Sequence, residues 1–544
     1  MVFILFSLIL LLPALMGLGK IAENLSGSLW HGISGKIISG ILACTIIWTV
    51  LAFFIPLNIY VETLTLLSGI FCFFKYRLYH EWYYFFNKNS LLTAVISLII
   101  LFCSSFYPYI LDHFGYYVPT IKWLTEYGII KGISNLDLTL GQVSFWHIFQ
   151  AGFSNFSDPF LRINAILLIV YTIYIMEKQQ WIHLCFIPVL LLFTQSPSPD
   201  LPVMIFSLII VNEIISGNKK TSLIFAFSAF VFAIKPTMIW LPVLSFLYTI
   251  IIAKTSIKSF IPGTVIILLF CIKNIWTFGY PVFPVAIMDV GVSWKPNPEV
   301  IRISSQYAIL KTYDMQYSYQ EIQKFSRVDY IKNWLFLHGI KSKINILFII
   351  SLLLFIIFTF LKKKTVISLI CISILMKSIL VLIFSAQYRF FIDVLLVIFF
   401  VVFFEFFNKK RSLLLFTCMS LFFIGFLSFP EIIRQNVPSF RLGSFMGKFK
   451  KEQLYQPSSY QYQPFDCYKV GNLKFNVSRN YPFNFDTPLP AISSSYIFDD
   501  AKAGIFPQLI DEKNMKKGFI WQKMNLQEKK QAENVIHNIK NAYQ

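Results

Sequence analysis

Five positions in this chain combine a reactive side chain with an unusual setting. Asp112 is the first charged residue after an apolar run of membrane-spanning length, Leu91 to Leu111. Asp200 closes the turn Ser196-Pro197-Ser198-Pro199-Asp200, Lys235 stands between two apolar runs just before Pro236, Lys273-Asn274 lies inside a run, and Arg389 opens another. A carboxylate can take a proton from a hydroxyl or hold a divalent metal against a phosphate. Lysine and arginine hold phosphate oxygens. Two carboxylates and three cations at one level of the chain therefore fit an anionic amphiphile, with apolar runs to receive its tail. Each residue also has a plainer use. Asp200 suits a helix N-terminus, where an anion is stabilised by about 0.3–1 kcal/mol. Lys235 and Arg389 can reach lipid headgroups, and Arg389 is spaced for an ion pair with Asp393 one turn later. Lys273 is harder to dismiss, because a lysine inside an apolar span costs about 2.5–3.5 kcal/mol unless it faces a cavity or a partner.

The segment that carries Asp112 runs through Tyr116, Tyr117, Val118 and Pro119 into Ile121-Lys122-Trp123-Leu124. Pro119 suits the first turn of a helix, which needs no amide donor. Ile121, Trp123 and Leu124 would give that helix an apolar side resting on a bilayer surface. A second such stretch spans Val143 to Phe153. The remaining elements are apolar. The 544 residues are 56% hydrophobic and 14% charged, with a mean hydropathy of +0.64, values no soluble domain of this size has. Apolar runs near 2–18, 35–56, 57–74, 90–111, 161–176, 181–195, 201–216, 221–234, 237–253, 259–277, 344–361, 365–385, 390–407 and 412–428 predict an all-α polytopic membrane protein with about 12–14 spans. The first run lacks a basic leader and reads as a retained span.

The net charge of +20 sits largely in short loops, so it marks topology and not nucleic-acid binding. Six basic loops (75–88, 177–180, 218–220, 254–258, 362–364 and 408–411) fall on one side by alternation, which makes that side cytoplasmic. The other side receives the 112–160 and 278–343 loops, the five reactive positions and the tail. Residues 1–429 form the membrane domain and 430–544 a small extracytoplasmic α+β domain, in which 473–477 reads as a strand. Asn525 followed by Glu528 starts a helix to about Ala542. Seven of eight cysteines lie in apolar runs and none is spaced for zinc, so neither a disulfide framework nor a zinc site is expected.

The pieces Asp112 to Pro119, Ile121-Lys122-Trp123, Glu126-Tyr127-Gly128, Gly132 to Leu136, Ser196 to Asp200, Lys273-Asn274, Gly279-Tyr280-Pro281, Phe283-Pro284, Trp294, Asp486 to Pro490 and Gly518-Phe519 carry a resemblance. Together they resemble the GT-C superfamily of membrane glycosyltransferases and, more narrowly, a poorly characterised bacterial multispan family allied to it. The chain departs from that pattern at Tyr117, where His is common, and at Lys273, where Arg is common. The resemblance implies an inverting glycosyltransferase of the bacterial inner membrane. It would move a sugar from a polyprenyl-phosphate-linked donor to a glycan, lipid or protein acceptor on the outer face. Asp112 and Asp200 would be the catalytic acids, with Tyr116, Tyr117, Lys122, Lys235, Lys273, Asn274 and Arg389 binding substrate. No cofactor is fixed; a divalent metal is compatible with the carboxylates. A polysaccharide polymerase would depend on the arginines, a lipid-linked sugar flippase or transporter on charges at mid-span, and a non-catalytic envelope scaffold on the tail alone.

Overall fold

A computed structural model describes residues 1–436, 448–459, 464–479 and 481–542. The fold is mostly helical. Among the described residues, eight helices are long and apolar enough to cross a membrane: Val2–Ser26, Ile33–Leu51, Tyr79–Ser104, Pro236–Ala253, Ile257–Phe278, Ile340–Lys362, Thr365–Phe384 and Lys409–Ser428. The other expected spans are shorter. Ile59–Lys75, Ile163–Lys178, Asp200–Ile215, Thr221–Ile234 and Ile392–Phe403 have 17, 16, 16, 14 and 12 residues. The stretch 181–193 is a chain of short turns broken around Pro188. Ile163–Lys178 and Asp200–Ile215 are buried almost throughout, so protein, not lipid, sets their length.

The first three helices pack backbone to backbone. A Cβ on Gly19 would lie 1.6 Å from the Lys36 carbonyl oxygen, one on Gly40 2.1 Å from that of Leu15, and one on Gly17 2.0 Å from that of Gly69. Glycines here serve close helix approach, as small residues do where lipid gives no drive to associate.

The six basic segments gather at one end of the bundle. Lys36 pairs with Glu81 at 2.8 Å and Lys178 with Glu213 at 2.7 Å. Glu177 accepts from the Ile33 amide, Lys220 donates to the Ser28 carbonyl, Thr221 bonds Thr255, and Lys409 covers the Trp181 ring. Asp112, Asp200, Lys235, Lys273 and Arg389 lie at the opposite end.

That opposite end carries the small α+β region. Strands β1 (Phe465–Val470) and β2 (Leu473–Ser478) pair antiparallel, with Val470 opposite Leu473 across Gly471-Asn472. Strands β3 (Ile505–Leu509) and β4 (Phe519–Lys523) form a second antiparallel pair. The helices Ser494–Lys502 and Leu526–Ala542 complete the region. The expected strand and terminal helix are both present. Asn525 and Glu528 cap each other reciprocally, at 2.8 and 2.9 Å.

One expectation fails. The helices Val118–Glu126 and Phe145–Ala151 do not present an apolar side to a bilayer surface; both are buried in protein. Ile121 and Leu124 join the main core, while Tyr116, Tyr117 and Trp123 share a second core with Val470, Leu473, Phe475 and Phe519 of the tail. A covering domain leaves no periodic signal in the segment it covers.

Candidate functional site: a graded cluster of ion pairs

Local rules place each charged side chain. The helix Tyr79–Ser104 stops well short of Asp112. Asp112 leads instead into a π-helical turn, His113–Tyr117, closed by the Val118 amide donating to the His113 carbonyl. Such i→i+5 turns recur at functional sites. Asp200 occupies the first turn of its helix, with its amide donating to Ser198 Oγ at 3.2 Å. Lys235 precedes Pro236, whose ring disfavours helical geometry one residue earlier. It is accordingly extended (φ −148°, ψ 113°) just past the helix Thr221–Ile234. Arg389 sits in the 3-10 turn Tyr388–Phe390, on a strap fixed by Trp334 Nε1 donating to the Ala386 carbonyl at 2.8 Å and by Phe391 stacked on Phe348 at 4.1 Å.

These four residues converge. Arg389 Nη1 reaches Asp112 Oδ2 at 2.7 Å. Lys235 Nζ donates to Asp200 Oδ1 and to the Arg389 carbonyl, the latter at 3.3 Å. The Phe390 ring lies under both cations, 5.4 Å from the Arg389 guanidinium and 5.0 Å from Lys235 Nζ. A third pair belongs to the same row. Lys377 Nζ donates to both Asp393 oxygens at 2.5 Å, and Trp240 Nε1 donates to Asp393 Oδ2 at 3.2 Å. The spacing reading that paired Arg389 with Asp393 is therefore corrected. Arg389 lies in a 3-10 turn before the helix Ile392–Phe403 begins, so i,i+4 geometry never forms and each residue takes a different partner.

Exposure falls along the row. The side chains of Asp112 and Arg389 are 27% and 37% exposed, those of Asp200 and Lys235 12% and 10%, and those of Asp393 and Lys377 5% and 1%. The row is electrically balanced, three carboxylates against three cations. An incoming anion must therefore compete with a carboxylate for its cation. Asp112–Arg389 is the most open pair and the one an incoming ligand meets. Asp112 and Asp200 are each paired with a cation. Among the described residues, no group of three or more His, Cys, Asp or Glu is arranged to hold a metal ion.

Tyr116 and Tyr117 flank the cluster with their rings 4.6 Å apart. Burial, and after it the neighbouring phenol or carboxylate, pushes both hydroxyls above the usual tyrosine range, so both stay protonated near neutral pH. His147, which sequence reasoning passed over, lies tilted by 48° against Tyr117, with the ring centroids 4.8 Å apart. Burial drives its imidazole down to about 3, and the Pro197 carbonyl is the polar group beside it. The chain thus has a neutral imidazole next to Tyr117, contributed by the separate helix Phe145–Ala151. Only contact in space could reveal it, because Tyr117 and His147 share no sequence motif.

Three expected substrate residues go elsewhere. Lys273 is fully buried and donates to the Gln142 carbonyl at 2.7 Å and to Asn274 Oδ1. Asn274 donates to the Pro281 carbonyl at 2.9 Å. Both fasten the helix Ile261–Phe278 to neighbouring turns. Lys122 pairs with Asp486 at 3.2 Å and also donates to the Asp486 and Thr487 carbonyls, which ties the loop to the tail.

The short motifs outside the cluster meet in a second place. The Phe519 amide donates to the Lys131 carbonyl at 3.0 Å, Asn135 Nδ2 donates to the Trp294 carbonyl at 2.7 Å, and Lys131 Nζ covers the Trp294 ring at 4.0 Å. A Cβ on Gly132 would lie 2.3 Å from the Phe519 carbonyl oxygen, and one on Gly518 2.1 Å from that of Lys131. Gly132 to Leu136, Trp294 and Gly518-Phe519 thus form the joint between loop and tail.

No curated protein and no solved structure matches the chain. One family, described as a domain of unknown function (DUF8201), matches residues 1–396, a stretch that includes all six charged residues of the row and ends before the α+β region. The chain belongs to that family.

Proposed function

We propose that this protein is a multispan membrane glycosyltransferase of GT-C type, working at the face opposite its basic loops. It would transfer a sugar from a polyprenyl-phosphate-linked donor to an acceptor hydroxyl. The observation that carries this reading is the convergence of Asp112, Asp200, Lys235 and Arg389, residues far apart in sequence, into one graded cluster whose outermost pair is open. The segregation of six basic segments to the other end supports a bacterial inner-membrane setting with the tail outside.

The chemistry follows from the pairing. A donor phosphate offers Arg389 two oxygens, and bidentate guanidinium–phosphate contacts are among the stronger charge-assisted hydrogen bonds. Taking Arg389 releases Asp112 from its partner. The freed carboxylate accepts the acceptor's hydroxyl proton while the hydroxyl oxygen attacks the anomeric carbon. The bond from that carbon to the phosphate oxygen breaks, and its electron pair stays on the phosphate. Arg389 and Lys235 stabilise the charge that grows there. Asp200 keeps Lys235 oriented. A single displacement inverts the anomeric carbon.

The test is purified protein with lipid-linked sugar in detergent. D112A is expected to fall at least ~100-fold in transfer at normal expression, as loss of a general base does. Full activity in D112A would overturn the base assignment. Dependence on Arg389 with indifference to Asp112 would favour a polymerase. The buried Lys377–Asp393 pair is the one observation that favours a flippase or transporter. Lipid movement without bond exchange in the same assay would select that reading.

A further inference from the structure

We propose that the basic end of the bundle holds a selective site for an anionic glycerophospholipid, built from the Lys362-Lys363-Lys364 turn over an apolar groove. The inference rests on the membrane reading and is independent of sugar transfer.

The helices Ile340–Lys362 and Thr365–Phe384 are joined by only two residues, and Lys363 takes a left-handed conformation (φ 51°) to make the turn. Three ammonium groups are thereby held at one helix end. Beneath them lies an open groove of about 570 Å³. Its apolar walls include Ile215, Ile251, Ile252, Phe358, Val402 and Phe404. The shape has a local cause. The helix Asp200–Ile215 ends here, residues 248–253 widen into a π-helical turn, and the chain leaves the helix Ile392–Phe403.

An open apolar groove at bilayer depth is filled by an acyl chain, because neither water nor a polar group satisfies it. What selects the lipid is the rim. Three lysines face one carboxylate, Glu405, which is 71% exposed and 3.6 Å from both Lys362 and Lys364. Exposed pairs at such distances hold little. Among the described residues, Lys363 forms no salt bridge. The turn therefore keeps about two unneutralised positive charges at headgroup level, and each attracts anionic lipid. The basic turn at 408–411 differs. Arg411 Nη1 donates to the Phe406 carbonyl at 2.8 Å and covers that ring, and Lys409 covers Trp181, so two of its three cations are already engaged. The helix Thr365–Phe384, at 1.5 Å per residue, puts about 30 Å between this groove and Arg389, so the lipid site is separate from the charged row.

Native mass spectrometry of the full chain with equimolar phosphatidylglycerol and phosphatidylcholine tests the proposal. The wild type is expected to retain the anionic lipid about 10-fold over the zwitterionic one. K362Q/K363Q/K364Q should abolish that preference, K409Q/K410Q/R411Q should keep it, and V402W, which fills the groove, should lower occupancy by either lipid. Phosphatidylglycerol should raise the wild-type melting temperature, while inorganic phosphate should not. No preference in the wild type, an equal loss in both triple variants, or the same shift from phosphate alone would each overturn the site. Recovery of the chain in the soluble fraction of cells would instead overturn the membrane reading beneath it.

Discussion

Arg389 is the pivot of the charged row, because its partner at rest is also the proposed base. R389A would leave Asp112 without a cation and the donor phosphate without its fork, and transfer should fall by at least ~100-fold, read as kcat/KM. R389K keeps the charge but loses the planar fork, so its activity should lie between those of R389A and the wild type. The deep pair behaves differently. K377M strands the Asp393 carboxylate in the core and should cost about 3–5 kcal/mol, whereas K377M/D393L should recover most of it, both read from melting in detergent. Asp112, Asp200, Lys235 and Arg389 were visible in the sequence because each interrupts or borders an apolar run. Lys377 was equally visible, but its partner was not. The spacing argument assumed one continuous helix through Arg389 and Asp393, and a 3-10 turn intervenes.

Among the elements, the joint between the 113–142 segment and the tail holds the charged row in register. Tyr116, Tyr117 and Trp123 share one core with the two β-pairs, and the Phe485 amide donates to the Phe114 carbonyl at 3.1 Å, two residues from Asp112. Gly518 has φ 101°, and an added Cβ would strike the Lys131 carbonyl. G518A should therefore loosen the joint, strain of this kind costing about 1–3 kcal/mol, with faster hydrogen exchange in 113–135. The joint also contains buried carboxylates. Burial lifts Asp137 to about 6 and Asp500 well above the ordinary range. When docked, both keep a proton that they lose at lower pH once exposed. Docking is therefore strongest below about pH 4 and weakens as pH rises through 6. Proteolysis of the tail should be slower at pH 5 than at pH 7.5, and D137N/D500N should flatten the difference. The 473–477 strand and the Asn525–Glu528 cap were legible from local sequence, whereas the other three strands were not named. The burial of the 118–126 helix was not, since its apolar side looks the same whether lipid or a distant domain covers it.

At the scale of the whole molecule, the periodic apolar runs and the placement of lysines gave the bundle and its two unlike ends. They overstated regularity. Among the described residues, only eight helices have the length and apolarity to cross a bilayer unaided, because fully buried helices such as Ile163–Lys178 answer to neighbouring helices. Deleting residues 448–544 should abolish transfer while leaving expression in place, since it uncovers Tyr116, Tyr117 and Trp123. Restored activity on adding the tail as a separate polypeptide would show that docking alone suffices. The order of synthesis adds a constraint. Asp112 and Arg389 are 277 residues apart. At translation rates of about 5–20 residues per second, the acid waits roughly 15–55 s for its counter-ion to leave the ribosome. Until then the carboxylate lacks its partner, so the outermost ion pair of the row can close only after nearly three-quarters of the polypeptide has been made.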